Sequence, residues 1–333
     1  MIIEIDSDRL GELAKLNDQS SELEKRIFSL ISPRIKYIDL TSKKIKKAVA
    51  VDSSSVTIRL RGGHKILVVT AVAQGYNGKR NTVTKIYYVY PDNIEVGGGV
   101  YEFSELRSLL MKYTELLAIK PFFDDGKLFI IDGSIKSDAI LLNFIDLDNW
   151  DIIDRSIAPI LRIYIQLLEH LISSEEVLYA SKTIMPSTLA EILEIPLELS
   201  IKDGRAILDY LSRYRLKKGK PFMIVRENVS PVENVISDKR NLYKNLPLLE
   251  ELRVDEILGY FGINPLVIIP FNIDDGSLYE YLTSLDYSPH GMINLINLVD
   301  TLAKSEAKLL ASKVESQIDQ ITTEREYIGQ REE

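Results

Sequence analysis

The sequence has no cysteine, one tryptophan and three histidines among its 333 residues. Without thiols it forms no disulfide, no thiolate metal site and no cysteine nucleophile, which leaves carboxylates together with His64, His170 and His290 as metal ligands. No run approaches the roughly 18 to 20 uninterrupted apolar residues that cross a bilayer. The start, Met1-Ile2-Ile3-Glu4-Ile5-Asp6, lacks a basic region followed by an apolar one. An unexported, cytoplasmic protein with no membrane contact is expected. Positive charge is also short: 41 basic against 49 acidic residues leave a net charge of −8, which argues against coating nucleic acid through bulk charge. The Lys43-Lys44-Ile45-Lys46-Lys47, Lys79-Arg80 and Lys217-Lys218-Gly219-Lys220 clusters each read first as solvated faces. There is no G-x-x-x-x-G-K-[ST] phosphate loop, so ATP-driven movement would have to come from another protein.

What is present is a 45% hydrophobic content in alternating patterns, enough for one large core with insertions. Residues 7–30 carry helical spacing, with Leu10, Leu13, Leu16, Leu23 and Ile27 at three- and four-residue intervals, and Pro33 marks its stop. The pattern then turns to strands. Residues 48–51 reach Asp52, residues 56–61 alternate, Gly62-Gly63 turns, and 65–72 return, which predicts a three-stranded antiparallel meander. A further β ribbon covers 83–90. Residues 103–119 predict a helix with Ser104 as N-cap and Leu106, Leu109, Leu110, Tyr113, Leu116 and Leu117 as its apolar stripe. The short apolar run 127–131 delivers Asp132-Gly133-Ser134, and 176–180 forms a second such run ending at Ser181-Lys182-Thr183; both suit strands buried on two faces. Helices are expected at 157–171 and around 204–214, strands at 222–225 and 266–270, and a long helix from about 291 past 318. The order strands, helix, strand, helix, strand is similar to an RNase H-like sheet: an α/β fold with a mixed sheet flanked by helices and carrying helical and β insertions. The expected division is a helical segment 1–45, a main domain 46–320 and a charged tail 321–333.

Asp52 and Asp132 share one context: an apolar strand, the acid, then small residues. A single Asp there is most often a turn former or a cap. Two acids at matching ends of neighbouring strands can share cations, and a pair of hard cations about 3.5 to 4 Å apart can serve both sides of a phosphate. Oxygen-rich sites suit Mg²⁺ or Mn²⁺. A third acid is expected on the intervening helix, from Glu102, Glu105 and Glu115, and spacing alone does not choose among them.

Asp52-Ser53-Ser54, Arg107 and Glu115 ahead of Leu128-Phe129-Ile130-Ile131-Asp132-Gly133-Ser134, Ser181-Lys182-Thr183, and Tyr287-Ser288-Pro289 before a long helix together resemble the archaeal NurA nucleases, over about residues 45–315. The resemblance implies an RNase H/PIWI-like fold and a homodimeric, Mn²⁺-dependent (or Mg²⁺-dependent) nuclease. It also implies 5′–3′ exonuclease and single-strand endonuclease action on DNA, in end resection for double-strand break repair, alongside the hexameric ATPase HerA. Carried over by position, it makes Asp52, Glu115 and Asp132 metal ligands. Lys182 is then a phosphate-holding residue and Tyr287 a group that positions phosphate or water. His290 reads as a ligand or proton shuttle, or as a hydrogen-bonded structural residue at a helix start. Two features depart from the family pattern: Ser53 stands where Asp-Gly-Ser is usual, and His290 follows Tyr287 almost at once, with Asn294 and Asn297 at the later positions. Tyr76, Tyr87, Tyr88 and Tyr90, interleaved with Lys79, Arg80 and Lys85, read either as strand packing or as a stacking platform for splayed bases. The alternative to an enzyme is a noncatalytic RNase H-like adaptor of a DNA motor, its acids serving only as turn formers.

Overall fold

A computed structural model describes residues 28–41, 47–60, 63–89, 94–96, 99–101, 103–143, 157–233 and 238–329, with the isolated positions 25 and 45. Most of the expected N-terminal helix, Lys43, Lys44, Tyr90 and Glu102 lie outside the described residues.

The strands are β1 (Ile35–Tyr37), β2 (Ala48–Arg59), β3 (Lys65–Gly75), β4 (Arg80–Val89), β5 (Ile94–Val96), β6 (Gly99–Tyr101), β7 (Leu128–Asp132), β8 (Glu176–Ser181), β9 (Phe222–Val229), β10 (Val254–Tyr260) and β11 (Leu266–Phe271). Nine of them form one sheet in the order β1-β9-β10-β11-β8-β7-β2-β3-β4, and β5 and β6 pair separately. The helices are α1 (Phe103–Ile119), α2 (Ile135–Asn143), α3 (Ala158–Ser174), α4 (Pro186–Leu193), α5 (Leu197–Lys218), α6 (Arg240–Asn245), α7 (Leu248–Glu251), α8 (Asp275–Ser284) and α9 (Asn294–Gly329). The mixed α/β sheet flanked by helices is the expected architecture. Among the described residues no helix is long and apolar enough to cross a membrane.

β2, β7 and β8 run parallel at the centre. β7 is apolar until its last residue and buried throughout Leu128–Ile131, as a strand covered on both faces must be. Alternation divides the core into two. Val49, Val51, Phe129 and Ile131 face α1, α3, α4 and α5. Ala48, Ala50, Leu128 and Ile130 face α8 and the buried stripe Ile296, Val299 and Ala303 of α9.

The meander differs from expectation in one respect that matters for function. Residues 48–59 form one unbroken strand, and Ser53, Ser54 and Ser55 stay in register with Ala71, Thr70 and Val69 of β3. The third strand of the meander is β4. Serine is a weak strand former, but a continuous backbone ladder with a strongly β-branched partner holds it extended. Asp52 therefore lies within a strand, not at its end. α1 begins at Phe103, so Ser104 sits inside the first turn and does not cap it. The terminal helix α9 runs to Gly329, into the segment expected as a tail.

Two glycine contacts set the geometry around the sheet. Gly133 takes φ of +128°, a conformation open to glycine, directly after Asp132. Gly262, in the β10–β11 turn, abuts Gly291 so closely that an added Cβ would lie 2.1 Å from the Gly291 nitrogen. That approach pins the segment ahead of α9, and so fixes where the first turns of α9 cross the sheet.

Candidate active site

β7 pairs with β2 only from Ala48 to Val51 and stops at Asp132. From Asp52 onward β2 keeps β3 on one side and, among the described residues, has no strand on the other, so the sheet opens into a notch beside Asp52. Asp52 continues the parity of Ala48 and Ala50, Asp132 that of Leu128 and Ile130, and Lys182 that of Leu178 and Ala180. All three side chains thus leave on the α9 face. Asp132 Oδ2 lies 3.2 Å from Lys182 Nζ.

α9 brings a carboxylate that the sequence reading did not select. Asp300 and Lys304 form an ion pair of 2.7 Å across one helical turn. Asp300 acts electrostatically on both Asp52 and Asp132, and the Lys304 ammonium is held in its charged form first by Asp300 and further by Asp52 and Asp132. The signal was available: Asp300 falls among Ile296, Val299 and Ala303, the sheet-facing stripe of the helix, and an acid in an apolar stripe is informative in a way that an exposed one is not.

Glu115 approaches from the opposite face. Arg107, Met111 and Glu115, spaced one turn apart on α1, line up along the serines of β2. Arg107 Nε donates to Ser55 Oγ at 2.6 Å, Ser55 Oγ meets Met111 Sδ at 3.3 Å, and Ser53 Oγ donates to Glu115 Oε1 at 2.5 Å. Behind Glu115, Lys112 pairs with Asp138 at 2.7 Å, and Tyr164 donates to the same carboxylate at 2.6 Å. Among the three expected acids, Glu105 sits ten residues earlier, roughly 15 Å along the helix axis from this point.

Burial and mutual repulsion shape the protonation of these groups. Asp52 is pushed up to about 8, first by burial, then by the charges of Glu115 and Asp132, against the Ser53 amide that donates to it at 2.7 Å. Glu115 is pushed up to about 7, again first by burial, with Lys112 and Ser53 opposing. Asp132 is raised by burial and held down in part by Lys182. Among the described residues no three oxygens of these four acids lie within 4.8 Å of one another. Each acid instead leans on its own partner: Asp52 on the Ser53 amide, Glu115 on the Ser53 hydroxyl, Asp132 on Lys182, and Asp300 on Lys304. An all-oxygen set of carboxylates whose pKa values are raised by crowding suits a hard divalent cation, because a cation supplies the positive charge that the protons now provide.

Two expected site residues are placed elsewhere. The Tyr287 hydroxyl donates to the Leu282 carbonyl at 3.0 Å, and its ring stacks on Phe261 with centroids 4.2 Å apart. That geometry uses the hydroxyl in local structure. His290 is exposed in the turn before α9, where its carbonyl accepts from the Asn264 amide. It is not among the charges acting on Asp52, Glu115 or Asp132. The reason is the position of α9: its regular turns start at Asn294, so a residue reaching the notch must come from a later turn, as Asp300 does. Of the tyrosines on the meander, Tyr76 and Tyr87 pack with the core and Tyr88 is 53% exposed, its hydroxyl 2.7 Å from His64 Nδ1.

The fold is a nine-stranded mixed sheet covered on both faces by helices. Solved structures of NurA are similar to this chain in fold. A NurA structure with manganese matches 94% of this chain and 98% of that chain with a TM-score of 0.59 and 14% identity. NurA bound to dAMP and manganese matches 87% and 92%, with a TM-score of 0.53 and 13% identity. A further NurA structure gives 0.52 over 90% and 94%, at 13% identity. No family model and no curated protein sequence matches the chain. At these identities the likeness is one of fold.

Proposed function

We propose that this chain is a divalent-cation-dependent DNA nuclease whose centre is the notch where β7 ends beside β2. The observation that supports this reading is the electrostatic influence of Glu115, Asp132 and Asp300 on Asp52, and of Asp300 on Asp132, around that notch. Two of these acids are raised to near neutrality, and two lysines lie against the cluster. An adaptor has no use for four acids that destabilise one another, whereas a cation site requires them.

Asp52, Asp132, Asp300 and Glu115 would hold Mn²⁺ or Mg²⁺, which when bound polarises the attacking water and offsets charge on the scissile phosphate. In hydrolysis a water oxygen forms the new bond to phosphorus, the bond to the leaving sugar oxygen breaks, and that oxygen takes up a proton. Lys182 beside Asp132 and Lys304 beside Asp300 would offer their ammonium groups to the non-bridging phosphate oxygens. Glu115, which accepts from the Ser53 hydroxyl, would complete the oxygen ligands from the opposite face of the sheet. The neutral Ser53 hydroxyl orients it throughout.

The same reading extends to 5′–3′ exonuclease and single-strand endonuclease activity, a homodimer, a cytoplasmic setting, and work beside a HerA-like hexameric ATPase in double-strand break resection. One NurA neighbour was solved with dAMP and manganese, which supports DNA and Mn²⁺ as the ligand classes. The test is incubation of end-labelled single- and double-stranded DNA with the native protein and with Asp132→Asn, with and without Mn²⁺. Cleavage by the native protein alone, and only with the cation, is expected. Equal cleavage by both proteins would overturn the assignment of Asp132, and absence of cleavage by the native protein would favour the adaptor.

A further inference from the structure

A second group of metal-ligating side chains converges far from the notch. Donor atoms of Asp124, His170 and Glu175 lie within 4.8 Å of one another, and this is the one such group among the described residues. The three come from separate pieces of chain: the turn ahead of β7, the last turns of α3, and the junction of α3 with β8.

Glu175 is the central member. Its side chain is 5% exposed. One oxygen accepts from the Asp124 amide at 2.8 Å and lies 3.3 Å from His170 Nε2. Its other oxygen has no partner among the described residues. That second oxygen meets solvent and stands open to an incoming cation, while the partly exposed imidazole reaches only the first oxygen. The surroundings hold the carboxylate in place. The His170 ring packs on Phe123 with centroids 4.8 Å apart, and Asn272 Nδ2 donates to the carbonyls of Ile172 at 3.0 Å and Glu175 at 2.8 Å.

We propose that Asp124, His170 and Glu175 form a structural site for a zinc-class divalent cation, distinct from the cations of the notch. One imidazole nitrogen with two carboxylate oxygens, completed by water, is a donor set that zinc accepts in tetrahedral form, whereas Mg²⁺ prefers six oxygens. Asp124 and Glu175 precede β7 and β8, whereas Asp132 ends β7. The length of that strand separates the two places by roughly 13 Å, so no cation is shared between them. A bound ion would join the turn before β7 to the end of α3 and the start of β8. It would thereby fix from behind the two strands that carry Asp132 and Lys182.

The site is tested with full-length protein stripped by chelation and then titrated with Zn²⁺, and separately with Mg²⁺, while stoichiometry and melting temperature are read. The proteins are Asp52→Asn/Asp132→Asn, in which the notch is disabled, and the same protein carrying in addition His170→Ala or Asp124→Asn. The expected result is one Zn²⁺ per chain in the notch-disabled protein with a melting temperature raised by several degrees, and no such response to Mg²⁺. The bound equivalent should be lost with His170→Ala and weakened at least tenfold with Asp124→Asn, an exposed position where folding is not at stake. Failure of the notch-disabled protein to bind Zn²⁺ would overturn the proposal, as would binding unchanged by both further substitutions. Neither result bears on DNA cleavage, so the nuclease reading stands or falls separately.

Discussion

Ser53 donates a 2.5 Å hydrogen bond to Glu115 across the α1 face of the sheet, while its neighbour Asp52 points to the α9 face. Two consecutive residues of one strand thus serve both sides of the same notch. A glycine in place of Ser53 would leave Glu115 without this donor.

Ser53→Ala and Ser53→Gly should therefore fold and yet lose activity. Removing a hydrogen bond to a buried charged group is worth about 1.5 to 3 kcal/mol, so a fall of roughly ten- to a hundredfold in kcat is expected. The donor lowers the Glu115 pKa, and its loss should move the acid limb of the pH–rate profile to higher pH. An unchanged profile with full activity would remove Glu115 from the mechanism.

The raised carboxylates make stability depend on pH in a definite direction. Asp52 rises from its ordinary 3.8 to about 8 on folding, and Glu115 from 4.5 to about 7. A group whose folded pKa lies above its unfolded one supports the fold fully at low pH, and that support is lost as pH climbs through the folded value. In cation-free buffer the melting temperature should fall between about pH 5 and pH 8, and Asp52→Asn should flatten the decline. A melting temperature that rises over this window in cation-free buffer would contradict the crowding of these acids.

The same protons compete with the cation. Apparent Mn²⁺ affinity should increase with pH until roughly pH 8 to 9, with protons released on binding. Calorimetry in buffers of different ionisation enthalpy measures that release, and a pH-independent affinity with no proton released would contradict it.

Lys182 lies 3.2 Å from Asp132 and is 44% exposed. Lys182→Met should weaken DNA binding and cleavage more than it weakens Mn²⁺ binding. Because the lysine lowers the Asp132 pKa, its removal should also shift cation binding to higher pH. By contrast Tyr287→Phe, which removes only a bond to the Leu282 carbonyl, should cost about 1 kcal/mol of stability and keep cleavage within about threefold. A large loss of cleavage in folded Tyr287→Phe would return that residue to the site.

Much of this was legible in the sequence because the relevant signals are local. The apolar runs at β7 and β8 and the stripe of α1 follow from side-chain periodicity, and Asp132-Gly133-Ser134 announces where a buried strand must turn. Asp52 was found for a reason that proved incomplete: three serines read as a strand end, whereas pairing with β3 carries the strand through them. Strand continuity depends on the partner, which local pattern does not contain. Asp300 interrupts the apolar stripe of α9 formed by Ile296, Val299 and Ala303, but that local mark does not say which part of the sheet the helix crosses. Its role comes from where α9 crosses the sheet, which is set by the contact of Gly262 with Gly291, two glycines 29 positions apart. Tyr287 and His290 were chosen from family likeness, and the register of α9 places both outside the notch.

The most direct measurement is anomalous diffraction at the manganese edge from crystals grown with Mn²⁺. The expected result is a peak in the opening beside β2, within bonding reach of both Asp52 and Asp132 and with Asp300 or Glu115 completing its shell. Well-ordered crystals in saturating Mn²⁺ with no peak there, or with a peak touching neither aspartate, would contradict the shared-cation centre.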